Sequence, residues 1–166
     1  MRKVIDTAWS GQVIIDGEVV RKIFEEKAIS RGCLEREVNW LETMRRFNRI
    51  PNFIRTVSNY IEMQYMGEPI TKGTIPKNWQ HQVKRILSGL RYYNCSHNDI
   101  KPEDILIKDG VINLVDFGWA TKIGAPIPES WPQSIGVEYK IDVHVFNDEY
   151  ALTKSIEAVL RGDLES

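Results

Sequence analysis

Long apolar runs, a cysteine framework and an excess of charge of either sign are all missing from this 166-residue chain. Its apolar stretches run to a handful of residues, far short of the roughly 20 that span a bilayer. No apolar stretch that could serve as a secretory signal follows Met1-Arg2-Lys3-Val4, so no membrane partner is expected. The 22 basic and 23 acidic side chains nearly cancel, which leaves no electrostatic footprint for nucleic acid. The two cysteines, Cys33 and Cys95, fall in different segments at no metal-ligand spacing. They read as reduced thiols in a cytoplasmic protein. What is present is ordinary for a folded chain: 42% hydrophobic residues and 10% aromatics suffice for one core or two small lobes.

No repeat or low-complexity tract is visible, so the fold has to be read from periodicity. Val13-Ile14-Ile15 and the run from Val19 to Phe24 are β-branched stretches, with Asp16-Gly17 as the expected turn of a hairpin. Leu34, Val38 and Leu41 recur at helical spacing, which predicts an amphipathic helix over about 33–47. Phe53–Val57 and Tyr60–Met66 read as two further strands. From Glu68 the character changes. Pro69, Gly73 and Pro76 punctuate a connector, and Trp79, Val83, Ile86, Leu87 and Leu90 mark the buried stripe of a longer helix. Ile105–Ile107 and Val111–Val115 form a second hairpin about Asp109-Gly110. Gly124 to Gly136 reads as a loop. A last helix carries Leu152, Ile156, Val159 and Leu160 on one face and ends at Gly162. A sheet-rich first part and a helix-rich second part imply an α+β chain of two lobes with a cleft between them.

The informative stretch is His97-Asn98-Asp99-Ile100-Lys101-Pro102-Glu103-Asp104-Ile105-Leu106, followed by Asp116-Phe117-Gly118. A carboxylate before a short hairpin and another after it can converge on one triphosphate–metal cluster, as phosphoryl transfer requires. The stretch resembles the protein-kinase catalytic loop, His-Arg-Asp-Leu-Lys-Pro-Glu-Asn-Ile-Leu, with its metal-binding Asp-Phe-Gly. The resemblance implies a bilobal protein-kinase-like fold with residues 1–67 as a small N-lobe. Residues 68–166 would form a shortened helical C-lobe. It also implies an ATP-dependent phosphotransferase acting on a hydroxyl, most simply the Ser or Thr of a protein. A small hydroxyl-bearing substrate is the alternative. Asp99 would then orient the acceptor, Lys101 would neutralise the transferring phosphoryl, and Asp104 and Asp116 would hold Mg2+ or Mn2+.

Val19-Val20-Arg21-Lys22 is similar to the family's Val-Ala-Ile-Lys, which implies that Lys22 holds the α- and β-phosphates of ATP. Strand alternation puts Arg21 on the opposite face. Glu37 matches the helix glutamate that pairs with this lysine; Glu35 is the rival, two residues away on another face. Met63 would stand beside the adenine, Gln64-Tyr65-Met66 would link the lobes, and Val13, Val20 and Leu106 would sandwich the purine. Asp148 resembles the aspartate that opens a helix behind the catalytic loop, and its simplest role is an N-cap.

Four departures limit this carry-over. With Gly11-Gln12-Val13 at the end of the glycine-rich loop, Asp6 and Ala8 replace its other two glycines, so nucleotide affinity is expected to be modest. Asn98 replaces the loop arginine that meets a phosphorylated activation loop, and such switching is not expected here. Asp104 replaces asparagine, though it is still a hard oxygen ligand. The family's later C-lobe helices find no counterpart after residue 166. A partly bare stripe on the last helix, and self-association or docking of a partner through it, follow as expectations. The degraded glycine loop also keeps a pseudokinase, an interaction module with little or no nucleotide binding, as the second reading.

Overall fold

The computed structural model describes residues 2–7, 11–126, 128–130 and 147–163. Five strands build the first lobe: β1 (Arg2–Thr7), β2 (Gly11–Asp16), β3 (Val19–Phe24), β4 (Phe53–Val57) and β5 (Tyr60–Gln64). They form one antiparallel sheet in the order β1-β2-β3-β5-β4. Between β3 and β4 lie a short helix, α1 (Glu26–Ser30), and the longer α2 (Cys33–Thr43). The expected helix over 33–47 therefore stops earlier, at Met44, whose backbone has left helical geometry.

The second lobe starts with β6 (Glu68–Pro69) and α3 (Trp79–Tyr92). After β7 (Cys95–Ser96) and a 3-10 turn (Pro102–Asp104) come β8 (Ile105–Lys108), β9 (Val111–Leu114), β10 (Thr121–Lys122) and α4 (Asp148–Arg161). Two small sheets, β6-β8-β9 and β7-β10, frame the catalytic-loop segment. The fold is α+β and bilobal.

Turn chemistry explains one hairpin fully and corrects the other. Lys108 pairs with Val111, and Asp109 and Gly110 have φ of +51° and +74°, as an Asp-Gly turn with both residues left-handed requires. In the first hairpin Asp16 pairs with Val19, so the turn is Gly17-Glu18, one residue later than expected. Gly17, at φ +61°, takes the left-handed position. Strand β1 escapes a periodicity reading because its side chains are mostly exposed, Val4 by 51%. It exists through its pairing with β2, from Arg2 opposite Asp16 to Thr7 opposite Gly11.

One hydrophobic core runs through both lobes, from Phe24, Leu41 and Ile61 to Ile86, Ile105 and Leu114. Leu152 and Ile156 of α4 belong to it and are fully buried, with Val159 nearly so. Most of the stripe expected to be partly bare is thus covered, since α4 packs on α3 and on the 3-10 turn, while Leu160 is half-buried. Helical spacing identifies an apolar face but carries no information about what lies against it. Gly162 ends α4 in the left-handed conformation, at φ +81°. The expected loop from Gly124 to Gly136 lies largely outside the described residues, as does Ala8. No helix among the described residues is long and apolar enough to cross a membrane.

Candidate active site

Strand alternation decides which of two adjacent cations enters the cleft. Arg21 points to the far face of β3 and pairs with Glu62 at 2.6 Å. Lys22 points inward, where its Nζ lies 2.8 Å from Glu37 Oε2 and 3.0 Å from Asp116 Oδ1. Glu37 is 1% exposed and Lys22 6% exposed, whereas Glu35 faces solvent on α2. Burial alone would push Lys22 toward its neutral form, but Asp116 and Glu37 outweigh it and hold the ammonium charged beyond its usual range. Burial likewise works against the Asp116 carboxylate, yet Lys22 and Lys101 keep it ionised well below the usual carboxylate range. Burial raises Glu37, with Lys22 opposing the rise.

The catalytic-loop segment is braced from three sides. The Asp148 carboxylate accepts the backbone N–H groups of His97 and Asn98 at 2.7 and 3.0 Å. Asp148 is therefore no N-cap; that role falls to Asn147, whose side chain accepts from the Tyr150 N–H. The buried His97 ring accepts the Asp99 N–H at Nδ1 (3.2 Å), which fixes Nε2 as the donor to the Val115 carbonyl (2.9 Å). The same ring meets Phe117 edge-on at 4.8 Å. Asn98 and Asp116 hold left-handed φ of +71° and +69°. Non-glycine residues in that region carry strain that surrounding bonds must sustain, and such positions cluster at functional sites.

Lys101 Nζ stands 3.2 Å from Asp99 Oδ2 and 3.4 Å from Asp104 Oδ2. Burial would lower its affinity for a proton, but Asp104, Asp116 and Asp99 together hold it charged. Asp104 is 4% exposed, and its buried Oδ2 receives no hydrogen bond. Burial, only partly opposed by Lys101, pushes this carboxyl well above its usual range. A carboxyl that ionises less readily in the fold than in the unfolded chain costs stability as pH rises through the unfolded value of about 3.9. Asp104→Asn removes that cost. The variant is expected to melt several degrees above the unmodified protein at pH 7, and the gap should close toward pH 4. A melting temperature lower at both pH values would contradict this account of Asp104.

These groups stand at one end of a cavity of about 470 Å³ between the lobes. Val13, Val20, Met63 and Gln64 line it from the sheet, Leu106 from β8, and Tyr65 and Met66 from the connection. Lys22, Glu37, Lys101 and Asp116 supply its polar end. Asn113 donates to the Met66 carbonyl at 2.9 Å and so braces the crossing between lobes. Asp99 and Asp104 stand beyond the cavity wall, joined to it through Lys101. Sequence reasoning passed over Ile5, Ile15, Val115, Glu68 and Glu103, which also line the cavity. The alternation of Ile5 with Asp6 in β1 held a signal for the first of these only once that strand was known. Asp6 lines the cavity too, with its carboxylate held by Gln12 Nε2 at 2.9 Å.

The donors present fit a divalent cation. Asp104 offers a buried oxygen without a donor, and Asp116 a carboxylate kept ionised. No group of three or more His, Cys, Asp or Glu able to hold a metal occurs among the described residues. A site with two carboxylates suits an ion that keeps waters and shares phosphate oxygens.

No family model matches the chain. It is 33% identical over 126 residues to Cyclin-dependent kinase-like 4 of Mus musculus, a match covering 67% of this chain and 36% of that protein. It is 28% identical over 140 residues to Cyclin-dependent kinase F-4 of Oryza sativa subsp. japonica, covering 72% of this chain and 28% of that protein. A shorter match, 40% over 48 residues, joins it to the Wee1-like protein kinase of Arabidopsis thaliana, with 29% of this chain and 10% of that protein covered. The chain thus spans about a third or less of the length of the relatives it matches. Taken with the protein-kinase-like fold, these similarities support the protein kinase family and select no particular member of it.

Proposed function

We propose that the protein is an ATP-dependent phosphotransferase that moves the γ-phosphate of ATP to a hydroxyl, the Ser or Thr of a protein substrate. One observation carries this reading: Lys22, Glu37, Asp116 and Lys101 line one largely apolar cleft, and Lys101 pairs with Asp99 and Asp104 just beyond its wall. The adenine would lie between Val13, Val20 and Leu106, with Met63 beside it and Gln64-Tyr65-Met66 along its edge. Lys22, oriented by Glu37, would clamp the α- and β-phosphates. Asp104 and Asp116 would hold Mg2+ or Mn2+, which supplies neutralisation of the phosphate charge. Asp99 would orient the acceptor hydroxyl and take its proton. The acceptor oxygen then bonds to the γ-phosphorus as the bond to the ADP oxygen breaks, while Lys101 offsets the charge on the phosphoryl oxygens. A cytoplasmic setting fits, because Cys33 and Cys95 are free and buried.

Asp6 favours a second reading. Its carboxylate on the cavity wall repels phosphate and would weaken nucleotide binding, which suits an interaction module. Transfer of label from γ-labelled ATP, with Mg2+ and then Mn2+, separates the readings. Phosphoserine or phosphothreonine in a mixed protein substrate is the expected product. Label appearing in small hydroxyl compounds alone would change the acceptor class. Nucleotide binding without transfer would favour the interaction module, and no binding of ATP would overturn the phosphotransferase.

A further inference from the structure

Three successive carbonyls after Asp116-Phe117 are each met by a side-chain N–H from elsewhere in the chain. Arg36 Nε donates to the Gly118 carbonyl at 2.7 Å, Asn98 Nδ2 to that of Trp119 at 2.9 Å, and Trp40 Nε1 to that of Ala120 at 3.0 Å. Arg36 and Trp40 lie on α2, one turn apart, on either side of Glu37. Asn98 lies in the catalytic-loop segment next to Asp99. The residues of this short segment, Gly118, Trp119 and Ala120, are buried, so a carbonyl released here would lose its partner without regaining water.

Further contacts tighten the same joint. The Arg36 guanidinium sits over the Trp119 ring at 4.9 Å and also donates to the Arg31 carbonyl. Asn98 donates to Thr121 Oγ1 at 2.9 Å and accepts from Ser96 Oγ at 2.6 Å, which ties the loop to both strands of the β7–β10 pair. Its left-handed φ of +71° is one that asparagine tolerates better than most side chains.

We propose that Arg36, Trp40 and Asn98 are positioning residues that latch α2 and the catalytic loop onto residues 118–120. They thereby hold Glu37 and Asp116 in place for the reaction without phosphorylation or a partner. The inference rests on the phosphotransferase reading for its consequence, but its mechanics are independent of it. Moving α2 outward breaks the Arg36 and Trp40 bonds as well as the Lys22–Glu37 pair. Moving the segment after Asp116 breaks all three. The Asn98 amide is neutral, and its donors and acceptor are already engaged within the protein. The latch is therefore closed by the chain's own groups.

The test combines hydrogen exchange with two ligands. Trp40→Phe keeps a half-buried ring and removes the donor. Asn98→Gly keeps the left-handed backbone and removes the staple. Arg36→Met and Arg36→Lys remove and retain the cationic donor. In Trp40→Phe and Asn98→Gly the backbone amides of residues 118–122 are expected to exchange about tenfold faster, the weight of one buried hydrogen bond. Adenosine affinity should hold, because its apolar walls are untouched, while Mg-ATP affinity falls about tenfold. Arg36→Lys should recover much of what Arg36→Met loses. Phosphatase treatment of the unmodified protein should change neither affinity. Unchanged exchange in Trp40→Phe, equal weakening of adenosine and Mg-ATP, or Mg-ATP binding that depends on phosphorylation would each overturn the latch. Should Asn98→Gly not fold, Trp40→Phe alone decides. Faster exchange in variants of a protein that binds neither ligand supports the latch and overturns the nucleotide reading instead.

Discussion

Asp116→Asn is expected to lose Mg-ATP affinity by more than about 100-fold, beyond what loss of a supporting residue around a metal costs. The protein itself should remain folded. Asp116 is one of two carboxylates on a single buried ammonium, and its charge works against the ionised form of Glu37. Neutralising Asp116 removes that repulsion and leaves Lys22 and Glu37 as a matched pair 2.8 Å apart. What disappears is the ionised oxygen facing the phosphates. Asp99→Asn is the contrasting variant: it should bind Mg-ATP as the unmodified protein does and fail to transfer, because Asp99 addresses the acceptor. Calorimetric titration, with a thermal melt of each variant, checks both. Equal Mg-ATP affinity for Asp116→Asn and the unmodified protein would remove Asp116 from the site.

Gly67→Ala is expected to be severely destabilising. Gly67 follows Met66 where the chain passes from the sheet-rich lobe into the helical one, and it lines the cavity. Its φ is +114°, a region that costs any other residue about 1–3 kcal/mol. A Cβ there would also stand 2.2 Å from the Ile107 carbonyl oxygen and 2.5 Å from its carbon. Those are backbone atoms of β8, so no rotamer change relieves the collision. Either β8 separates from the connection or the connection moves, and in both cases the floor of the cavity near Leu106 shifts. The expected result is a loss of several kcal/mol in denaturant unfolding, or an insoluble product. Gly17→Ala, with open space around its Cβ position and the same sign of φ, isolates the conformational part and should cost about 1 kcal/mol. Similar losses at the two sites would show that the close approach at β8 has no energetic weight.

Much of the candidate site was legible because its residues sit in contiguous motifs. The stretch from His97 to Leu106, the Asp-Phe-Gly twelve residues after Asp104, and Lys22 at its place in a β-branched run are written in order along the chain. The structure gathers Lys22, Glu37 and Asp116 in one set of ion pairs and Lys101, Asp99 and Asp104 in a second, and lines the cavity with the apolar residues named from the sequence. Other features had no such spelling. Strand β1 shows little apolar alternation because its exposed edge needs none. Asp148 stands one residue after the N-cap and reads as the cap itself, yet its carboxylate serves backbone groups 50 and 51 positions away. Arg36 and Trp40 belong to no motif, and their role shows only where the carbonyls of Gly118 and Ala120 stand beside them.

By itself the sequence determined what depends on a few neighbouring residues. The Asp109-Gly110 turn, the buried stripes of α3 and α4 and the stop at Gly162 follow from φ preference and helical period, which are local properties. Only the tertiary structure decided what covers the apolar face of α4, how four carboxylates share two ammonium groups, and which side chains hold residues 118–120. Three of the contacts involved, Arg36 with Gly118, Trp40 with Ala120 and Lys22 with Asp116, join groups 80 or more positions apart where water is largely excluded. There the cost of an unpaired charge or carbonyl, absent from any short stretch of chain, selects the arrangement.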